Sequence, residues 1–376
     1  MTQDSKESLG TLNDYVLLGR SGLRVSPLCL GALTFGEKWG FGVNFEESKE
    51  VFDHYFEQGG NFIDTANLYT GGDSERFLGQ YIADKRSQVV VATKYTLNPV
   101  NPNVKFNANG GGNHRKSLVE NLDESLKRLN TGYVDLLYVH LWEYRTPIEE
   151  VMRALDDAVR SGKVLYVGIS NTPSWVISRA NTISEFRGWS RFIALQTRYN
   201  LLNRTYETDL QPASAELGIG TVPWGCIAEG FLTGKYTKEY VEKSKKTGEN
   251  ISNRKSLLES FGIEKNWEIL EEVKKISKEV NRSPVQVALN WIAQKPGITS
   301  PLIGARTKTQ LDENIKALEF KLTPEQISRL DYVSEPSIPF PQSFYNFMSD
   351  SFIGSNIEVP ERFRPVLNLK SSKPMT

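Results

Sequence analysis

Residues 134–170 read VDLLYVHLWEYRTPIEEVMRALDDAVRSGKVLYVGIS. An apolar run, Val134–Val139, is followed by a helical pattern from about Ile148 and then by a second apolar run, Leu165–Ile169. Runs this short and this continuously apolar suit strands buried on both faces, and a helix between them is the crossover that parallel strands require. The alternation continues in both directions. Further strands are predicted at Val25–Leu30, Phe62–Asp64, Val89–Thr93, Ile193–Gln196, Gly220–Pro223 and Ser300–Ile303, with helices beginning near Glu46, Ser74, His114, Pro173, Thr208, Pro284 and Lys308.

Local signals support several helix starts. Asn171-Thr172-Pro173 and Arg282-Ser283-Pro284 each put a capping residue before a proline at the first helical position, where its missing N–H costs nothing. Thr323-Pro324-Glu325-Gln326 adds a capping-box glutamine. Eight strand–helix units close best as an α/β fold, a (β/α)8 or TIM barrel, and 376 residues are compatible with one such unit. No G-x-G-x-x-G follows the first strand, which removes the usual cofactor signature of an open doubly wound sheet.

Three segments exceed ordinary connections: Tyr95–Asn113, Gly225–Asn266 and Glu335–Thr376, the last carrying Phe340, Phe344, Tyr345, Phe347 and Phe352. Loops at the C-terminal ends of barrel strands build the site, so these are expected to form a lid and a pocket. The expected organisation is a flexible tail over residues 1–14, a barrel domain over 15–334 and a C-terminal extension over 335–376. Lys plus Arg and Asp plus Glu number 45 each, so no global field favours nucleic acid or an anionic membrane. Cys29 and Cys226 make neither a disulfide framework nor a metal constellation, and no metal is expected. The N-terminal stretch has no apolar signal segment and no run approaches 18 apolar residues, so the expected location is the cytoplasm.

Asp64, Lys94 and His140 close the runs NFID, VVVATK and VDLLYVH, and Tyr69 lies five residues after Asp64. A phenol has a reference pKa of about 10 and is normally too weak an acid for neutral solution. An adjacent ammonium stabilises the phenolate, a carboxylate fixes the ammonium, and a neutral imidazole aims a carbonyl oxygen at the phenol. Such a group protonates a carbonyl as hydride arrives. A strand-end lysine could instead form a Schiff base, which would require it to be free of the carboxylate and phenol. His54 and His114, the other two histidines, fall on helical segments.

This pattern resembles the catalytic tetrad of the aldo-keto reductases, from about Leu17 to about Leu330. LYVHLWEY, PIEEVM, GKVLYVGISNTPSWV and PWG are closest to the aryl-alcohol-dehydrogenase-like branch. The resemblance implies that Tyr69 donates the proton, Lys94 lowers its pKa, Asp64 orders Lys94 and His140 orients the substrate. It implies further that Ser170, Asn171 and Gln196 bind the nicotinamide carboxamide and that Trp224 stacks on the ring. Ala228–Tyr236 resembles the family's G-L-L-T-G-K-Y loop, whose backbone at Gly230, Leu232 and Gly234 and whose Lys235 approach the pyrophosphate. Glu229 departs from a frequent small residue there, and its carboxylate near phosphates is unfavourable unless it points to solvent.

Ile303-Gly304-Ala305-Arg306 with Gln310, Glu313 and Asn314 matches the family's adenosine end, with Arg306 on a 2′-phosphate, which implies NADPH. Phe35, Trp39, Tyr95 and Trp142 are candidates for an aromatic substrate wall. The expected function is NADPH-dependent reduction of a small aldehyde or ketone, or the reverse oxidation of an aryl alcohol. The alternative is a nicotinamide-binding regulatory subunit of the channel β-subunit type.

Overall fold

A computed structural model describes residues 7–98, 107–247 and 255–344. Its main sheet has eight strands: β1 (Cys29–Gly31), β2 (Phe62–Asp64), β3 (Val90–Tyr95), β4 (Val134–Val139), β5 (Val164–Ser170), β6 (Phe192–Arg198), β7 (Gly220–Trp224) and β8 (Leu302–Ile303). Every ladder is parallel, and β8 pairs with β1. The seam between β7 and β8 is drawn together by a parallel bridge between Thr221 and Ile298 and by Thr299 N–H donating to Thr221 O at 2.8 Å. The expected (β/α)8 barrel is therefore the fold.

Side-chain parity organises its interior. Successive residues on a strand point to opposite faces. Cys29, Phe62, Val90, Ala92, Leu136, Tyr138, Ala194 and Val222 form one buried cluster inside the barrel. Their neighbours Leu30, Ile63, Val91, Leu137, Val139 and Leu195 belong to the larger cluster between sheet and helices. Each fully buried aliphatic side chain contributes about 1.5–3 kcal/mol. The period of two then carries Asp64, Lys94, His140, Gln196 and Trp224 onto the inner face, each two residues beyond an interior apolar residue.

The opposite end of the barrel is closed. Val16–Leu17 and Arg24–Val25 form an antiparallel hairpin whose Leu18 and Val25 join the interior cluster. Gly19, at φ +58°, sits so close to the starts of β6 and β7 that an added Cβ would lie 2.2 Å from Ile193 O and 2.6 Å from Gly220 N. The predicted strand Val25–Leu30 is thus two pieces: its first residue ends the hairpin, and its last two open β1, which starts at Cys29. Pro27 in the break has no N–H to give to a ladder.

The capping boxes at Ser283 and Thr323 are present. The simple cap expected at Thr172 is not: Pro173 is itself the N-cap, and the Thr172 hydroxyl turns back to Ser170 O at 2.8 Å. The segment after β7 holds helices at Lys238–Thr247, Lys255–Ser260 and Glu264–Glu279, where the sequence suggests only a long connection. Within the expected N-terminal tail, Leu12 is buried and Leu9 N–H donates to Leu318 O at 2.9 Å, so this part is docked. Tyr345, Phe347 and Phe352 lie outside the described residues. Among the described residues no helix is long and apolar enough to cross a membrane, and no group of His, Cys, Asp and Glu could hold a metal ion.

Candidate active site

The inner-face parity brings Asp64 and Lys94 together at the C-terminal rim. Lys94 is fully buried, and its Nζ donates to Asp64 Oδ2 at 2.5 Å, Thr65 O at 2.8 Å and Tyr69 Oη at 3.1 Å. Tyr69 comes from the turn Tyr69–Gly72 that follows β2, in which Thr70 and Gly71 both have positive φ. That tight reversal turns the phenol back over the barrel mouth. The Tyr69 and His140 rings are 6.0 Å apart and edge-on, so the four expected catalytic side chains converge.

Electrostatics follow from burial and this contact set. Burial raises the Asp64 carboxyl above its usual range, with Lys94 and a Gln196 hydrogen bond pulling it back only in part. Burial would neutralise Lys94, yet Asp64 and Tyr69 hold it above its ordinary value and therefore cationic. For Tyr69, burial outweighs the ammonium, so the phenol stays above its ordinary value where the sequence suggests a net lowering. Lys94 limits the rise. Burial, reinforced by the Lys94 charge, pushes His140 down to about 3, so its imidazole is neutral at physiological pH.

The expected nicotinamide residues are present but already bonded to one another. Gln196 Nε2 donates to Asp64 Oδ1 at 2.8 Å, so this amide supports the acid. Asn171 donates from Nδ2 to His140 O at 3.1 Å and to Ser170 Oγ at 2.9 Å, and its Oδ1 accepts from Trp224 Nε1 at 3.0 Å. Ser170 is fully buried beside it. Asn171 thereby fixes the Trp224 ring relative to the backbone of His140.

In the loop after β7, Leu232 is core and can offer only backbone, while Gly230 and Gly234 have positive φ and Lys235 is exposed. Glu229 does not point to solvent: it pairs with Arg198 Nη2 at 3.0 Å. At the far side Ile303 is core, Gly304 is exposed, and Arg306 is exposed with its N–H on Gln310 Oε1 at 2.9 Å. Thr307 caps the helix Lys308–Ile315 that carries Gln310, Glu313 and Asn314, and Asn314 Nδ2 donates to Gly304 O at 3.1 Å.

Of the four aromatic candidates only Trp39 stands at the mouth, edge-on to Tyr69 at 6.1 Å. Phe41, which the sequence reading passes over, packs beside it at 6.0 Å. The other three are corrections. Phe35 is fully buried against Tyr81. Tyr95, next to Lys94, has the opposite parity and points outward, its hydroxyl on Asn113 O at 3.2 Å. Trp142 is packed in the outer core.

Thr65, whose carbonyl completes the Lys94 set, and Arg198 were also missed; Arg198 had a signal, since it continues the inward series Ala194–Gln196. A surface groove of about 490 Å³ near Gly79 and Lys127 is lined by cations already paired: Arg76 with Asp73, Lys127 with Glu124 and Arg128 with Glu75. It holds none of the rim residues.

Comparison with known proteins agrees with this geometry. The model of the aldo/keto reductase family matches residues 27–335. A Saccharomyces cerevisiae protein assigned as an aryl-alcohol dehydrogenase, AAD14, is 36% identical over 368 residues, 95% of this chain and 93% of its own. The norsolorinic acid reductase of Aspergillus flavus is 36% identical over 337 residues, 88% of this chain and 83% of its own. The aryl-alcohol dehydrogenase GME11368 of Pestalotiopsis microspora is 35% identical over 343 residues, 88% and 86% of the two chains. With the barrel, the converging rim residues and near full-length similarity in hand, the chain belongs to the aldo/keto reductase family, in its aryl-alcohol-dehydrogenase-like branch, and is an oxidoreductase.

Proposed function

We propose that the protein is an NADPH-dependent reductase of aldehydes or ketones, able to run in reverse as an aryl-alcohol dehydrogenase. The observation that carries this reading is the single ammonium of Lys94 bonded at once to Asp64, Thr65 O and Tyr69, beside a neutral His140. A lysine held cationic by three partners is a poor imine-forming nucleophile, which disfavours the Schiff-base alternative.

A bound nicotinamide would supply or accept the hydride. The chain's own residues manage the proton. In reduction Tyr69 gives its proton to the carbonyl oxygen, and the Lys94 ammonium already donating to Tyr69 Oη stabilises the phenolate left behind. Asp64, held by Gln196 from the other side, keeps that ammonium in place. A neutral His140 can present an N–H to the same oxygen, which an imidazole lacking a proton on the correct nitrogen could not. Trp39 and Phe41 offer an apolar wall beside Tyr69 for a flat substrate, in keeping with relatives named for aryl alcohols.

The cofactor fits the open backbone at Gly304. A Cβ built there meets nothing within 4 Å and its φ does not call for glycine, so the bare backbone leaves room for close approach by a ligand, whereas Gly230 is already required by its φ of +103°. Arg306, exposed beside Gly304 at a helix start, suits a 2′-phosphate. The test is loss of nicotinamide absorbance with an aromatic aldehyde, using NADPH and NADH in parallel. Consumption of NADPH is expected. Tight NADPH binding without turnover of any aldehyde, ketone or alcohol would replace this reading with a regulatory nicotinamide-binding role.

A further inference from the structure

Arg198 ends β6 on the inner face, two residues beyond Gln196 and in register with Trp224 on β7. Its guanidinium lies 5.6 Å from the centre of the Trp224 ring. The ion pair it makes is lopsided. Both Glu229 oxygens fall on one nitrogen, Nη2, at 3.0 and 3.3 Å, and the Nε–H is buried without a partner. A carboxylate or phosphate that matched a guanidinium would take two nitrogens in a fork, and a buried donor without an acceptor is unfavourable. Glu229 is therefore an imperfect occupant of an oxyanion position.

Glu229 is also held in an unfavourable conformation. It and Ala228 have φ of +52° and +49°, a region side chains rarely adopt, and Gly230 follows at +103° with open space around it. The backbone of the segment is held by Ala228 N–H on Gly225 O at 2.9 Å and Gly230 N–H on Ile227 O at 3.0 Å, so it is the Glu229 side chain, fastened to Arg198 alone by its ion pair, that can swing away. Where the cofactor reading above places a diphosphate near this segment, a carboxylate would repel it and a guanidinium would attract it.

We propose that Arg198 recognises the diphosphate of the cofactor by exchanging Glu229 for it, so that the Arg198–Glu229 pair is a latch which cofactor binding opens. This rests on the cofactor reading, and it makes a claim that reading lacks: Glu229 competes with the cofactor for Arg198. Removing the competitor strengthens binding. Because both nicotinamide cofactors carry the diphosphate, NADPH and NADH must respond alike, unlike the response to a residue that grips the 2′-phosphate.

The experiment titrates the purified full-length protein with NADPH and with NADH by quenching of tryptophan fluorescence, at one ionic strength, after melting curves have checked that each variant is folded. Glu229→Gln is expected to tighten both cofactors by several-fold, and Arg198→Met to weaken both by about 10-fold, the value of one charge-assisted contact. Arg198→Lys, which keeps the charge without the fork, should recover part of the loss. If Glu229→Gln weakens both cofactors as Arg198→Met does, the pair is a fixed prop and the exchange is wrong. If Arg198→Met leaves both dissociation constants unchanged and raises KM only for a carboxylate-bearing aldehyde, the recognised anion belongs to the substrate and the proposal fails. Wild-type protein that binds neither cofactor overturns the cofactor reading and the latch together, whereas normal wild-type binding with inert variants overturns the latch alone.

Discussion

Two groups of buried charges in this barrel have similar ingredients and opposite character. In one, Arg204 grips Glu207 with a true fork, Nε and Nη2 each at 2.8 Å from a separate oxygen, while Nη1 reaches Asp331 O at 2.8 Å and Ser334 Oγ at 2.9 Å. Lys295 and the Trp291 indole close on Asp331, and the Tyr199 hydroxyl closes on Glu207. Two positive and two negative charges cancel. Burial alone would raise the Glu207 carboxyl, yet Arg204 brings it below its ordinary value. The other group is Asp64, Lys94, Tyr69 and His140. There the Asp64 carboxyl stays above its ordinary value and His140 Nδ1 is buried without a partner. The satisfied network joins the Arg204–Thr208 segment to the C-terminal helix Pro324–Val333 as structure. The other leaves His140 Nδ1 open beside Tyr69, the proton donor of the proposed reaction.

The contrast is broken most directly by Tyr69→Phe, which should lower kcat by about 10²–10⁴-fold with the melting temperature nearly unchanged. A kcat near wild type would remove Tyr69 from proton transfer. Arg204→Met should do the reverse. It leaves Glu207 buried without its guanidinium partner, so a loss of about 3–5 kcal/mol in denaturant unfolding is expected, with kcat/KM of the surviving folded protein close to wild type. A large catalytic defect at unchanged stability would show that the two groups are not separable.

A smaller effect sharpens the cofactor side. Arg306→Ala should raise the NADPH dissociation constant by about 10- to 150-fold and scarcely change that of NADH, since only NADPH carries a 2′-phosphate. Equal weakening of both would reduce Arg306 to a loop support.

The smallest effect concerns pH. His140 titrates near 3 in the fold and near an ordinary histidine value of about 6.5 when unfolded. Between those values the unfolded chain binds the extra proton, so stability rises with pH and falls on acidification from about 6.5. At pH 5 the loss attributable to His140 is about 2 kcal/mol. His140→Gln should flatten that part of the stability–pH curve, and an unchanged slope would mean that the imidazole is charged in the folded protein.

Strand ends and parity explain what could be seen in the sequence. Asp64, Lys94 and His140 close apolar runs, and those runs fix both the barrel and the face on which each residue points. Tyr95 was misjudged although its parity was available: adjacent to an inward lysine, it must point outward. Phe35 and Trp142 lie outside regular strands, so no periodicity marked their burial. The Arg198–Glu229 pair joins residues 31 apart through the turn after β7, and a run of left-handed residues such as Ala228 and Glu229 leaves little trace in composition. Helix Glu264–Glu279 was lost for a plainer reason: its start has no side-chain cap, Ile263 being the N-cap residue.

The hairpin beneath the strands gives the barrel the form of a cup rather than a tube. Leu18 and Val25 join the apolar cluster that fills the floor, and the fully buried Lys94 sits above it. Deleting residues 7–25 would therefore do more than shorten the chain: it would wet the underside of a charge pair whose strength depends on a dry interior.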